Sequence, residues 1–131
     1  MPNLDAWSPR VLSLLRIVTG LLFMEHGLMK LIHFPAPQPG VPDPLPMLFL
    51  VGGWIEAVGG GLIALGLFTR PAAFIASGEM AAAYFLFHAK GGVWPALNEG
   101  DAAILYCFIF LYLVFAGPGP WSLDAVLRKR G

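Results

Sequence analysis

The informative ionisable side chains inside apolar stretches of this 131-residue chain are Arg16, Glu25, His26 and Lys30 in the first, Glu56 in the second, and Glu79 and His88 in the third. A charge at the centre of a bilayer costs at least ~2.5–3.5 kcal/mol on insertion scales, so such groups face one another or a wet cavity and mark function by default. The chemistry open to them is proton transfer and hydrogen bonding. Imidazole titrates near neutral pH, and carboxyl groups in series can relay protons. Arg16, His26, Lys30, Glu56 and Glu79 are the primary candidates for an intramembrane polar site. Glu25 and His88, together with Asn98 and Glu99 from a polar stretch ahead of the last apolar run, are secondary candidates. No catalytic residue is assigned.

Each group also has a purely structural reading. Arg16 and Glu79 can form an ion pair that fixes helix register. His26 and His88 can hydrogen-bond to a carboxylate or an interfacial water. Glu99 and Asp101 can stabilise a helix start through its dipole. Haem ligation by the two histidines is compatible with their depth, but nothing in the local sequence selects haem. Glu25, His26, Glu56 and His88 are the ligand types that iron, manganese or zinc take. The Glu-x-x-His pairs of di-iron bundles are lacking, so no metal site is assigned. Gly59 to Gly61 are not a phosphate loop, since no Walker-type lysine and serine or threonine follow. The cofactor stays open, with a quinone as the candidate.

The elements that must position these residues are membrane helices. Apolar residues make up 57% of the chain and charged residues 12%, and the mean hydropathy is +0.72. A typical soluble domain is about 45–50% apolar and about 25% charged. Too little polar surface is left to cover a soluble globule, so lipid is the solvent and the bilayer the first partner. Crossing the hydrocarbon core takes about 20 helical residues. Four stretches serve: Val11–Phe34, Leu45–Phe68, Pro71–Ala89 and Ala96–Ala116, the last entered at Pro95. The fold class expected is all-α, an up-down bundle of four transmembrane helices in one domain over residues 1–131. The proline-rich segment from Pro35 to Pro44 cannot be helical and joins the first two helices. Thr69-Arg70-Pro71 is a tight turn, and Gly117-Pro118-Gly119-Pro120 stops the fourth helix.

Helical phase places Arg16, Gly20, Phe23, Gly27 and Lys30 on one face, with His26 on its flank and Glu25 pointing nearly opposite to Arg16. Gly53, Ala57 and Gly61, with Gly52 and Gly60, form small-residue stripes suited to close helix packing. At ~1.5 Å rise per residue, Arg16 and Glu79 lie ~8 and ~11 Å in from one end. Glu25, His26 and Glu56 lie at ~20–22 Å and His88 near ~24 Å. Two layers are expected: an Arg16–Glu79 pair below, and two carboxylates with two imidazoles above, capped by Lys30. Cys107, the only cysteine, packs as a small hydrophobe and has no disulfide partner in the chain.

With four crossings, the N-terminus, the second loop and the C-terminus share a side. That side carries Arg10, Arg70, Arg128, Lys129 and Arg130, against Lys30 and Lys90 on the other. The positive-inside bias predicts both termini in the cytoplasm. Trp121–Arg130 reads as a short interfacial helix capped by Ser122, with Asp124 in its first turn. Trp7, Trp94 and Trp121 fall near membrane boundaries. A cleaved signal peptide is not expected, because Arg16 interrupts the first apolar run. No lipidation motif is found. Zero net charge offers no general attraction to nucleic acid.

The sequence resembles the DoxX family of small bacterial and archaeal membrane proteins. The resemblance is carried by Leu15-Arg16-Ile17-Val18-Thr19-Gly20 with Phe23, His26-Gly27 and Lys30. It continues with Glu56, Gly59-Gly60-Gly61-Leu62 and Leu65-Gly66-Leu67-Phe68-Thr69-Arg70. Trp94-Pro95 with Asn98-Glu99-Gly100-Asp101 follows, similar to the family's Asn-Gly-Gly-Glu stretch with the acid and glycine positions altered. Gly117-Pro118-Gly119 and Ser122-Leu123-Asp124 complete it. The resemblance implies a four-helix fold in the cytoplasmic membrane and a link to redox metabolism. Named members resemble subunits of thiosulfate:quinone oxidoreductase and of a terminal oxidase complex, and others are tied to oxidative-stress complexes.

Three functions follow from these residues. In a quinone-linked redox subunit, His26 donates to a quinone oxygen, Glu56 and Glu79 relay protons, and a redox partner protein supplies electrons. In a non-enzymatic scaffold or assembly factor, the buried charges are structural and the basic tail or proline-rich loop recruits a soluble enzyme. A small-solute or proton transporter would need a homo-oligomer, since four helices without an inverted repeat do not enclose a path alone.

Overall fold

Asn3 opens the first helix by accepting the Asp5 amide on its side-chain oxygen at 3.1 Å, the usual N-cap bond. In the computed structural model, which describes residues 3–130, helix α1 runs Leu4–Ile32. It starts seven residues before the apolar run and ends where His33 turns left-handed (φ 56°) and returns its amide to Leu28 O. The prolines beyond cannot continue it.

Helix α2 runs Met47–Leu65. The expected end at Phe68 is three residues too late, because Gly66 takes a left-handed φ of 72° and closes a Schellman turn. In that turn the Gly66 amide donates to Ile63 O at 3.1 Å and the Leu67 amide to Leu62 O at 2.9 Å. Helix α3 starts correspondingly early and runs Thr69–Ala83. It continues through a π-helical turn at Tyr84–His88 and a 3-10 turn at Ala89–Gly91.

The fourth crossing is not the continuous helix expected over 96–116. A single turn, α4 (Pro95–Asn98), precedes α5 (Asp101–Ala116). Between them Glu99 is left-handed at φ 62°, and the Asn98 side-chain oxygen accepts the Gly100 amide at 2.8 Å. Asparagine commonly closes a turn two residues on in this way, in competition with the helix. The 16 residues of α5 rise about 24 Å, short of a hydrocarbon core of about 30 Å. The stacked α4 turn makes up the difference. Helix α6 (Leu123–Arg130) is the expected tail helix, with Ser122 Oγ accepting the Ala125 amide at 3.1 Å.

These helices form an up-down bundle with no strand among the described residues. Leu4–Ile32, Met47–Leu65 and Thr69–Gly91 are each long and apolar enough to cross a membrane. Large side chains such as Val18, Leu21, Phe74, Phe108 and Phe115 face outward, as a lipid solvent requires. The bundle is built from two tight pairs. In the first, α1 and α2 touch backbone to backbone: a Cβ at Gly20 would lie 2.6 Å from Ala64 N, and one at Gly60 2.5 Å from Met24 N. Gly27 sits equally close against Gly53 and Ala57. Lipid gives no hydrophobic drive for helix association, so such van der Waals contact supplies it. In the second pair, Ala72, Ala73, Ala76 and Met80 of α3 face Ala103, Phe110 and Leu113 of α5. Ser77 Oγ donates to Cys107 O at 2.8 Å across the same seam. Helix α3 packs beside α2, whereas α1 and α5 meet chiefly through Phe23, whose ring lies 4.7 Å from Phe110 and 5.4 Å from Tyr106.

Candidate functional site

At the end of the bundle that carries both termini, Arg16, Arg70 and Asp124 serve as helix caps. Arg16 is 1% exposed. Its Nε donates to Ile63 O at 2.9 Å and its guanidinium to Trp121 O at 2.6 Å, to Pro118 O, and more distantly to Ala64 O at 3.5 Å. Ile63 and Ala64 lie in the last turn of α2, where the helix dipole is negative and carbonyls lack the usual partner four residues on. Arg70 does the same for α5, donating to Val114 O at 2.8 Å and Phe115 O at 2.9 Å. Asp124 caps the opposite pole, accepting the Phe68 and Thr69 amides at the start of α3 at 2.9 and 3.0 Å. Burial disfavours its charge. The bonds from Thr69 and Phe68 and the nearby Arg16 outweigh that and hold its carboxyl below the usual carboxylate range.

The expected Arg16–Glu79 pair is therefore not formed. Arg16 is satisfied by carbonyls, and Glu79 stands too far along α3 to reach it. The physical reason is the early end of α2. Counted from Leu65, Glu56 lies ~14 Å from that end, and counted from Thr69, Glu79 lies ~15 Å from it. The two carboxyls are thus level. Their Oε2 atoms both flank Gly52, 3.4 Å (Glu79) and 3.5 Å (Glu56) from where a Cβ there would stand.

Lys30 reaches into this layer from α1. Its ammonium donates to Glu56 Oε1 at 2.7 Å and to Gln38 Oε1, in the proline-rich loop, at 2.9 Å. This is the one salt bridge among the described residues, and it is buried, with side-chain exposures of 9% for Lys30 and 3% for Glu56. Glu79 Oε1 is also buried but has no hydrogen-bond partner.

A cavity of about 510 Å³ opens beside these groups, in the half of the bundle away from the termini. Phe23, Phe49, Phe87 and Tyr106 give it aromatic walls. Lys30, Glu56, Glu79, His26 and His88 give it a polar side, and Gln38 to Val41 of the loop cover it. His26 stands edge-on to Tyr106 at 6.0 Å, and His88 stacks on Tyr84 at 6.4 Å.

The rim is organised by Asn98. Besides closing its own turn, its side-chain nitrogen donates to Tyr84 Oη at 3.2 Å and Gly92 O at 3.0 Å, and its backbone carbonyl meets His88 Nδ1 at 3.1 Å. It thereby fixes α4 against the π-helical turn. Such turns occur often at functional sites, because the widened backbone re-aims side chains.

Of the candidates read from sequence, His26, Lys30, Glu56, Glu79, His88, Asn98 and Glu99 line this one cavity. Arg16 lies outside it at the terminal end, and Glu25 faces outward from α1. Glu25, His26, Glu56 and His88 therefore do not gather as a ligand set, and no three His, Cys, Asp or Glu side chains among the described residues are placed to hold a metal. Gln38 and Tyr106 in the cavity carried no site assignment from sequence, nor did Arg70 and Asp124 in the terminal caps or Ser13, whose Oγ accepts the Trp121 amide at 3.1 Å. Gln38 carried one usable signal, being the only amide side chain in a segment of prolines.

Residues 11–89 match the protein family described as DoxX. The chain is similar, at 47% identity, to an uncharacterized protein of Haemophilus influenzae, with 99% of this chain and 100% of that one aligned. It is 30% identical to an uncharacterized membrane protein of Mycobacterium tuberculosis, covering 97% of this chain and 87% of the relative. It is also 30% identical to the inner membrane protein YqjF of Escherichia coli strain K12, covering 88% and 90%. No solved structure matches the chain.

Proposed function

The chain belongs to the DoxX family, and from that premise we propose that it is a quinone-linked membrane subunit that binds a quinone headgroup in the Lys30–Glu56–Glu79 cavity and acts with a redox partner. The observation that carries this reading is the pairing of aromatic walls with a buried, partly unpartnered acid cluster in a cavity of about 510 Å³. Small-molecule sites commonly measure ≈ 300–1,000 Å³ and are mostly apolar, with a few fixed polar groups. The rings of Phe23, Phe49 and Tyr106 suit a flat, conjugated headgroup. Lys30 and His26 offer donors to its oxygens, and Glu56 and Glu79 are placed to pass protons to or from them. Electrons come from the partner, which the basic end of the chain is suited to dock. The excess of arginine and lysine near the termini supports a cytoplasmic position for both ends, so the cavity belongs to the outer half of the membrane.

The test is mass spectrometry of lipid-soluble molecules extracted from protein purified gently from its native membrane. A quinone at near-equal stoichiometry in wild type, and lost in folded Glu56→Gln, is the expected result. A folded protein that retains its partners yet carries no quinone would leave the buried charges as structure and turn the reading into a scaffold.

A further inference from the structure

We propose that the outward face of α1 is a self-association surface, through which two copies of this chain pack as a parallel pair with their Glu25 side chains meeting across a two-fold axis along the membrane normal. The proposal is independent of the cavity, which His26 and Lys30 face from the inward side of the same helix. Glu25 is exposed on α1. Its depth is set by a close neighbour: Gly27 packs against Gly53 and Ala57, which lie near the middle of α2 (Met47–Leu65). The carboxyl therefore points at hydrocarbon, and the one salt bridge among the described residues does not involve it. Ionisable groups at that depth almost always face a bundle interior or a wet cavity, so one that faces outward marks a missing neighbour.

The residues around Glu25 show the shape of that neighbour. Val18 and Leu21 before it, and Leu28 and Ile32 after it, follow an alternating spacing of three and four. Inside the bilayer, lipid alone accounts for apolar residues at these positions. Outside it, lipid does not. Helix α2 has 19 residues and rises about 28 Å, close to the hydrocarbon thickness. Its last turn lies beside Gly20, which touches Ala64. Leu4, Trp7 and Val11 therefore stand about 14–24 Å beyond that end. There the same spacing continues through Leu4, Trp7, Val11 and Leu14, all exposed, while Asp5, Ser8 and Arg10 between them are polar. An apolar stripe of this period, kept along the whole helix, is the pattern of a coiled-coil seam.

The occupant of the seam is a second copy. Copies inserted in the same orientation and related by a two-fold axis along the membrane normal set each residue of α1 opposite itself at equal depth. Whatever satisfies Glu25 must bring a polar group to its level in an otherwise apolar face, and the second copy does so by construction. A carboxylic acid suits such self-pairing, because its O–H donates while its carbonyl oxygen accepts. A single polar residue within an apolar seam also fixes register. The period of 3.5 residues falls short of the 3.6 of a straight helix, so the two α1 helices wind into a left-handed pair.

The experiment uses the full chain alone in lipid vesicles, with Cys107→Ala so that single cysteines can be placed on α1 and oxidised. Leu14→Cys and Leu21→Cys are expected to form disulfide-linked dimers. Leu15→Cys and Leu22→Cys, also exposed but turned about 100° from the seam, are not. Energy transfer between donor- and acceptor-labelled copies, diluted with lipid, gives the dissociation constant of the otherwise unaltered chain. It is expected to rise about tenfold in Glu25→Leu, the worth of a hydrogen-bonded pair in a membrane. In Glu25→Gln, whose amide also donates and accepts, it should change little. No dimer at any lipid dilution, or disulfides as ready at positions 15 and 22 as at 14 and 21, overturns the proposal. Pairing that Glu25→Leu leaves unweakened overturns the role of Glu25. A monomer in pure lipid that pairs only in its native membrane overturns the second copy in favour of another subunit.

Discussion

The ammonium of Lys30 lies 2.7 Å from Glu56 Oε1, with both side chains shielded from lipid and from solvent. This bond joins α1 to α2 within the membrane, and through Gln38 it also joins them to the proline-rich loop. Removing one partner of a buried pair leaves an uncompensated charge and costs about 3–5 kcal/mol. Lys30→Met is therefore expected to lower the thermal transition strongly. Lys30→Met combined with Glu56→Gln should recover much of the loss, because no unpaired charge remains. A double variant as unstable as the single one would show that Lys30 acts through packing rather than charge. The readout is thermal unfolding in one detergent for all variants.

Arg16 gives a different prediction because its partners are carbonyls. Its planar guanidinium reaches Ile63, Ala64, Pro118 and Trp121 together. Lysine keeps the charge but has three donors on a single atom and cannot span them. Arg16→Lys is expected to destabilise by about 1–3 kcal/mol, the cost of buried acceptors left unmet. The release should centre on the tail: amide exchange is expected to quicken at Trp121 to Ala125, whose Trp121 carbonyl Arg16 holds, and to stay slow around Lys30. Uniform loosening of the bundle would contradict this.

Features set by physics along one dimension are legible in the sequence, and those that depend on helix end points are not. Four apolar runs and the buried ionisable groups are visible because lipid penalises charge wherever it lies along a helix. The face shared by Arg16, Gly20, Phe23 and Gly27 follows from helical phase alone, and all four are buried. Depth, however, accumulates from a boundary. Reading α2 three residues past Leu65 shifts Glu56 by ~4.5 Å, enough to pair the wrong residues. The partners of Arg16 were invisible because backbone carbonyls leave no mark in sequence. The break at Glu99 was hidden because a left-handed glutamate is uncommon.

Asp124 supplies a pH dependence. Its folded carboxyl sits below the usual range, whereas in the unfolded chain it titrates near about 3.9. The folded state thus binds the proton more weakly. The stability Asp124 contributes is fully present above the unfolded value and is lost as pH falls through the depressed folded one. Thermal transitions measured from neutral pH down to about pH 3 should fall in the acid range. Asp124→Asn should be less stable at neutral pH by about 1 kcal/mol, a typical cap, and should show a shallower acid slope. Parallel curves for the two proteins would assign the acid sensitivity to another group.

Glu99 is held left-handed at φ 62°, between the α4 turn and α5, by the Asn98 side-chain bond to the Gly100 amide. A side chain in this conformation is strained by roughly 1 kcal/mol relative to glycine. Its carboxylate accepts no hydrogen bond from the described residues and lines the cavity, so the backbone effect should dominate. Glu99→Gly is expected to raise the thermal transition, and Glu99→Gln, which keeps the backbone strain, should leave it unchanged. Because the Asn98 side chain rather than Glu99 ties the rim to Tyr84 and Gly92, Glu99→Gly should leave ligand affinity within about twofold, whereas Asn98→Ala should weaken it and destabilise the fold by about 1–3 kcal/mol. A loss of stability in Glu99→Gly would mean that the carboxylate, not the turn, is what the rim depends on.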